Sequence, residues 1–342
     1  MLRIALLGAG YAGRIQLQGW QTVPGVQVVG LWNRTAARAH ELGREFGVPV
    51  FEDLQALIGH PEVDAVDVAT VFETHREYSL QAAAAGKHVL CQKPLAPTQA
   101  DAAAIVEGCR RAGVRLMVNE NWRWRPWYRA VRQVLDRGAL RRPFAMRLSL
   151  RTDAAVATPE RPPQQLFAQQ PFLRTMDPLI MMELGPHHFD VVRFLFGDPS
   201  GVYARTLKVS PHTAGEDVAT ALLEYPDRTA IVELSWHAIG YTADRSRRLH
   251  PDELLMEGTA GSLAVREDGQ VQLAFRDGRR ETVPVDTADG YRRSWRDALA
   301  HFAACLESGA EFETSGEQNL ATLRLVFDAY QSARSGQPVR RP

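Results

Sequence analysis

The sequence predicts an α/β chain, with an open parallel-sheet α/β domain first and then an α+β domain carrying a large open, mostly antiparallel sheet. Three observations support this. The 342 residues are about twice the commonest domain size, so two domains are expected. From residue 3 to about residue 117, short β-rich runs alternate with helical runs, the pattern of parallel strands joined by right-handed crossovers. Beyond Trp122 the texture becomes alternating strands joined by turn signals, as in antiparallel sheets.

In the first domain the expected strands are 3–7, 26–32, 65–70, 88–91 and 115–118, and the helices are 15–22, 36–46, 74–85 and 98–112. Gly47 and Gly86 stand where helices stop, and Thr98 stands where one starts. Residues 127–138 read as a helix and 143–151 as a strand. Residues 152–177 carry four prolines without periodicity, the character of a functional loop or lid. Helical texture returns over 179–196. Strands are expected at 202–209, 218–225, 230–237, 252–257, 261–266 and 271–276, and helices at 291–308 and 317–332. The domain boundary falls between 1–121 and 122–342, with the final helices packing back on the first domain. One face of the second sheet needs cover, which points to a homodimer or homotetramer.

Composition removes several classes of function. Apolar residues make up 45 % and charged residues 23 %, near globular averages, so disorder is excluded. Forty basic residues balance forty acidic ones, which argues against a dedicated nucleic-acid or anionic-membrane partner. Cys91, Cys109 and Cys305 are odd in number and widely spaced, so neither a disulfide framework nor a thiolate metal site is expected and a reducing compartment fits. No run approaches the roughly 20 apolar residues of a membrane span, and a cytoplasmic location is expected.

The strongest local signal is Gly8-Ala9-Gly10-Tyr11-Ala12-Gly13 at the end of the first strand and the mouth of a helix. Gly8 permits the tight turn, Gly10 leaves room for a pyrophosphate and Gly13 lets helix and strand pack closely. The helix N-terminus presents N–H groups to the phosphates. This is the fingerprint of a Rossmann dinucleotide-binding domain. At the end of the second strand, where a carboxylate would take the ribose hydroxyls, the chain has Asn33 and Arg34. Losing that carboxylate while gaining Arg34 favours NADP over NAD, although Asn33 can still serve an unphosphorylated ribose.

Four anchors, in order, resemble the glucose-fructose oxidoreductase and inositol dehydrogenase family. They are the glycine turn; Thr70-Val71-Phe72-Glu73-Thr74-His75, with Val71 where proline is usual; Gly86-Lys87-His88-Val89-Leu90-Cys91-Gln92-Lys93-Pro94, with Gln92 where Glu is commonest; and Glu183-Leu184-Gly185-Pro186-His187-His188-Phe189-Asp190, with Glu183 where Asp is usual. Residues 121–126 are similar to a further family stretch, matched at Arg123, Trp124 and Pro126. The resemblance covers nearly the whole chain. It implies an NAD(P)-dependent oxidoreductase acting on a sugar, cyclitol or related polyol. It further implies Thr70, His75, Gln92, Lys93 and Asn121 on the cofactor side, a catalytic Lys93 and a catalytic His187.

Chemistry agrees at these positions. Lys93 follows the fourth strand, on the side of the sheet where open α/β folds bind ligands, and its ammonium suits the negative oxygen formed as hydride leaves carbon. Glu183 and His187 are four residues apart and on one helix would share a face; His exchanges protons near neutral pH, and Glu183 is expected as a catalytic partner that orients the ring or hydrogen-bonds an adjacent substrate hydroxyl. Glu183, His187 and Asp190 lack a two-histidine pair, so no metal is expected. Arg123, His188, Trp236 and Tyr241 are expected to line the substrate side, where aromatic walls and polar tips suit sugar-like ligands. Two alternatives remain open from sequence: a cofactor-binding sensor without turnover, and an enzyme that recycles tightly held nucleotide in net non-redox chemistry.

Overall fold

The structure is a computed structural model; it describes residues 1–156, 167, 170–238, 253–266 and 268–341. The chain divides into two compact units, Met1–Asn121 with Ser294–Leu323, and Trp122–Arg293 with Arg324–Pro342.

The first unit is built on five parallel strands in the order β2-β1-β3-β4-β5: β1 Leu2–Leu7, β2 Val26–Trp32, β3 Ala65–Val68, β4 His88–Gln92 and β5 Leu116–Asn119. Every residue of β3 and β5 is buried, as required of strands covered on both faces. The helices are α1 Tyr11–Trp20, α2 Ala36–Phe46, α3 Leu54–Ile58, α4 His75–Ala84 and α5 Gln99–Arg111. α1 starts four residues earlier than the periodicity suggests, because the glycine turn feeds directly into it. α3 is absent from the sequence expectation; it is one turn long, started by Asp53 accepting the Gln55 N–H. Thr98 caps α5 by accepting the Asp101 N–H, and Gly47 ends α2 at φ 67°. Leu6, Leu17, Leu31, Ala39, Leu42 and Ala69 form a core between β1, β2, α1 and α2.

Two later helices, α9 Gly290–Ser308 and α10 Gly316–Ser335, supply Ser294–Leu323 to this unit. The Val118 N–H donates to the Thr314 carbonyl, the Thr314 hydroxyl donates back to the Val118 carbonyl, and Phe302 meets Trp20 edge to face.

The second unit carries a nine-stranded sheet in the order β13-β12-β11-β10-β6-β9-β8-β7-β14. Its strands are β6 Pro143–Arg151, β7 Gly201–Leu207, β8 Val218–Glu224, β9 Thr229–Ser235, β10 Glu253–Gly258, β11 Gly261–Val265, β12 Val271–Phe275, β13 Arg280–Val283 and β14 Val339–Arg340. All neighbours are antiparallel except β6 with β9. β13 and β14 lie outside the sequence expectation: one is polar and the other has two residues, so neither carries a periodic signal. α6 Pro126–Asp136, α7 Ile180–Glu183 and α8 Gly185–Phe196 complete the unit. Within the expected loop over 152–177, residues 157–166, 168 and 169 lie outside the described residues; Pro171–Arg174 forms a short 3₁₀ turn.

Candidate active site

In the first unit the three glycines have separate physical reasons. Gly8 has φ +114°, and a Cβ there would lie 2.5 Å from the Ala69 carbonyl oxygen. A Cβ on Gly13 would come within 2.1 Å of the Gly8 carbonyl oxygen, whereas one on Gly10 would meet nothing within 4 Å. The turn is closed where helix meets strand and open at Gly10. α1 has neither a side-chain cap nor an acidic residue in its first turn. These features, with Tyr11 and Ala12 in that turn, fit a dinucleotide phosphate.

Asn33 braces the turn. Its Oδ1 accepts the Ala9 N–H at 3.1 Å, and its Nδ2 donates to the Thr35 carbonyl at 2.9 Å. Arg34 beside it is exposed, with no ion pair to a described residue.

At the carboxyl edge of the sheet, Thr70 and Thr74 share a hydroxyl contact of 2.8 Å. His75 is buried, with Nδ1 3.0 Å from the Pro94 carbonyl and Nε2 3.2 Å from the Thr70 carbonyl. Burial pushes its pKa down to about 4, so the ring is neutral and has one N–H. One of these two carbonyls accepts it, and the tautomer decides which. Lys93 is half-buried, and its N–H donates to Gln92 Oε1 at 3.1 Å. Gln92 Nε2 donates to Gln16 Oε1 at 2.6 Å, and Gln16 Nε2 donates to Asp67 Oδ1. Asp67 Oδ2 accepts the Trp20 indole N–H at 2.7 Å. Asp67 has no exposure; burial pushes its pKa up to about 7, opposed by the donors Trp20 and Gln16.

Asn119 lies beside Gln92 in the sheet register, fully buried, and both polar atoms of its amide lack a hydrogen-bond partner among the described residues. Buried amides are rarely left in this state, and a carboxamide-bearing ligand would satisfy both atoms. Asn121 Nδ2 donates to Ser294 Oγ at 2.9 Å, leaving Oδ1 without a partner among the described residues.

In the second unit the structure corrects one premise. Glu183 and His187 do not share one helix: Glu183 ends α7, Leu184 is the junction and His187 belongs to α8. Pro186 has no N–H to continue the ladder, which explains the break. Glu183 is half-buried. The His187 imidazole stacks on the Trp122 indole at 4.5 Å between centroids and 3° between planes, and the Arg125 guanidinium lies 3.4 Å from the same indole centroid. His188 is fully buried, with Nδ1 2.8 Å from the Leu184 carbonyl, and meets Trp122 edge-on. Arg123 donates to Asp190 through two buried bonds of 2.8 and 2.6 Å. Trp236 is buried just past the end of β9, edge-on to Phe167, and Tyr241 lies outside the described residues.

Sequence reasoning missed Gln16, Asp67 and Asn119 as parts of these clusters. Asp67 did give a signal, a carboxylate inside the apolar run Ala65-Val66-Asp67-Val68. The others look like ordinary polar or core residues until the chain is folded.

Comparison with known proteins agrees with this geometry. Residues 2–120 match the family model for an oxidoreductase family with an NAD-binding Rossmann fold, and residues 128–264 match the GFO/IDH/MocA C-terminal domain. D-apiose dehydrogenase of Paraburkholderia graminis is 37 % identical over 98 % of this chain and 88 % of its own length. D-apiose dehydrogenase of Rhizobium rhizogenes is 33 % identical over 99 % and 97 %. An Agrobacterium radiobacter oxidoreductase, solved with NAD+, L-tartaric acid and magnesium, superimposes with a TM-score of 0.90 at 32 % identity, covering 99 % of this chain and 98 % of that one. The fold and site therefore define a nicotinamide-dependent oxidoreductase. The chain belongs to the GFO/IDH/MocA oxidoreductase family.

Proposed function

We propose that this enzyme interconverts a hydroxyl and a carbonyl on a sugar or related polyol, with NADP preferred over NAD, Lys93 stabilising the substrate oxygen and His187 exchanging its proton. The bound nicotinamide supplies the hydride acceptor or donor. Gly8, Gly10, Tyr11, Ala12 and Gly13 hold its phosphates, and Asn119 and Asn121 offer the amide groups for its carboxamide. Lys93 carries the reading: it leaves the carboxyl end of β4 with its own N–H held by Gln92 and the His75 ring 3.0 Å from the following carbonyl. An ammonium placed with so little backbone freedom acts on the charge that develops in the transition state. The stack on Trp122 fixes the plane of the His187 ring for proton transfer. The relatives named as D-apiose dehydrogenases make a branched or simple sugar the first substrate class to try.

NADP preference rests on an amide at position 33, already bound to Ala9, and on the exposed Arg34 beside it. A second copy of the chain is expected on the open face of the nine-stranded sheet. There Tyr203, Leu222, Ile231, Arg147 and Leu255 lie in one row of the register, with Leu222 37 % and Leu255 44 % exposed. The three cysteines are free and buried, as expected for a protein of the reducing cytoplasm.

The test is a screen of D-apiose, other sugars, sugar acids and inositols with NAD+ and NADP+, beside titration of both cofactors. Turnover with a polyol and tighter NADP+ binding are expected, and Arg34→Ala abolishes the preference. Lys93→Met lowers kcat by about a thousandfold with cofactor affinity nearly intact. His187→Asn lowers kcat and removes the near-neutral limb of its pH profile. Near-wild-type kcat in Lys93→Met refutes the role of Lys93.

A further inference from the structure

We infer that Asp67 is a positioning residue for Lys93, acting through a hydrogen-bond chain whose direction requires a carboxylate at position 67 and an amide at position 92. This rests on the catalytic reading of Lys93 above.

The direction follows from the two ends. The Lys93 N–H can only donate, so Gln92 turns its oxygen toward it and its NH₂ toward Gln16. Gln16 then meets Gln92 with its oxygen and must donate its NH₂ to position 67. The Trp20 indole N–H, also donor-only, takes the other oxygen of the same carboxylate. Position 67 thus receives two donors and needs a group with two accepting oxygens. Gln16, Asp67 and Gln92 are buried, and these are all the hydrogen bonds their side chains make among the described residues, so no alternative partner relieves a mismatch. On the other side of Lys93, the ring of His75 lies 3.0 Å from the Pro94 carbonyl.

A substitution at either end alone therefore frustrates the chain. In Asp67→Asn, one NH₂ faces a donor, either Trp20 or Gln16; turning both glutamines over moves the conflict to the Lys93 N–H. In Gln92→Glu, two carboxylates flank the single amide of Gln16, which can donate to only one of them while both are ionised. The double variant Asp67→Asn with Gln92→Glu reverses the chain without loss. The new amide at position 67 accepts from Trp20 and donates to Gln16, Gln16 donates to the new carboxylate at position 92, and that carboxylate still accepts the Lys93 N–H.

The experiment is run at about pH 8, above the pKa of Asp67 in the unsubstituted chain, and for Gln92→Glu is repeated at about pH 9.5, because the added carboxylate raises Asp67 further. It compares wild type, both single variants and the double by amide hydrogen exchange at Lys93, thermal melting of the full chain without cofactor, and kcat and KM on the substrate found by the screen. Each single variant is expected to exchange the Lys93 amide at least about tenfold faster, to melt about 3–6 °C lower and to lose about tenfold in kcat with KM little changed. The double variant returns all three to near wild type. Additive losses in the double overturn the inference. So does a recovery of exchange and melting when kcat never fell in the singles, because the chain then does not position the chemistry. If a single variant does not fold, a cooperatively melting double supports the inference and an insoluble double overturns it. Lys93→Met measured alongside separates the two readings: wild-type activity in that variant is a failure of the catalytic assignment, whatever the double variant does.

Discussion

Replacing Asp190 by Asn removes one charge from the buried Arg123–Asp190 pair while nearly preserving volume. The two side chains are 8 % and 3 % exposed, and the guanidinium grips both carboxylate oxygens. Breaking a buried pair from one side costs about 3–5 kcal/mol, because the guanidinium stays buried after losing this carboxylate. Asn keeps one acceptor, and the Arg123 guanidinium also lies 5.1 Å from the Phe194 ring, so the lower end, about 3 kcal/mol, is expected. For a unit of this size that corresponds to about 6–12 °C in Tm. Calorimetry of the full chain reads it, with fluorescence and circular dichroism followed together to detect separate melting of the two units. Replacing both partners by apolar residues, Arg123→Met with Asp190→Leu, is expected to recover most of the loss, since neither charge is then stranded. A drop below about 2 °C in Asp190→Asn refutes the view that this pair ties the turn carrying Arg123 to α8.

Gly10→Ala meets open space and is expected to fold with an unchanged Tm but to bind cofactor at least about tenfold more weakly, whereas Gly13→Ala, driven into the Gly8 carbonyl, loses both stability and binding; equal effects on Tm would contradict the assignment. Buried neutral His75, with a pKa near 4, contributes stability that is full above about pH 6.5 and lost as pH falls toward 4. Asp67, raised to about 7, has the opposite sign: its folded form holds a proton that the unfolded chain releases from about pH 4 upward, so stability falls as pH rises toward 7. The two slopes nearly cancel between about pH 4.5 and 6.5, and His75→Gln is expected to unmask a loss of about 1.4 kcal/mol per pH unit with rising pH, measured by urea unfolding; a flat profile rules this out. Leu222→Glu, on the open sheet face, is expected to shift a dimer or tetramer toward monomer in sedimentation, and an unchanged mass would exclude that face.

Local patterns are enough to read much of this protein. The alternation over 26–32 and 36–46 predicts a strand and a helix at the observed bounds, because period and stop signals such as Gly47 are properties of neighbouring residues. The glycine turn is legible for the same reason: three glycines at fixed offsets serve a backbone geometry that sequence neighbours create. Lys93 can be placed at the end of β4 from the run His88-Val89-Leu90-Cys91 before it and Pro94 after it. β13 and β14 cannot, since their pairing comes from the sheet they join and not from their own residues.

Tertiary structure decides what those residues touch. Gln16 meets Asp67 across 51 positions and Gln92 across 76, and Arg123 meets Asp190 across 67. Thr314 reaches Val118 across 196 positions and brings a late segment into the first unit. The spacing of Glu183 and His187 suggests one helical face, but Pro186 ends that helix, and the flat indole of Trp122 fixes the plane of the imidazole instead. Hydrophobic period and turn chemistry act between residues a few positions apart and are written in the sequence. A buried hydrogen bond depends on desolvation and direction, which exist only once distant segments have been packed around it.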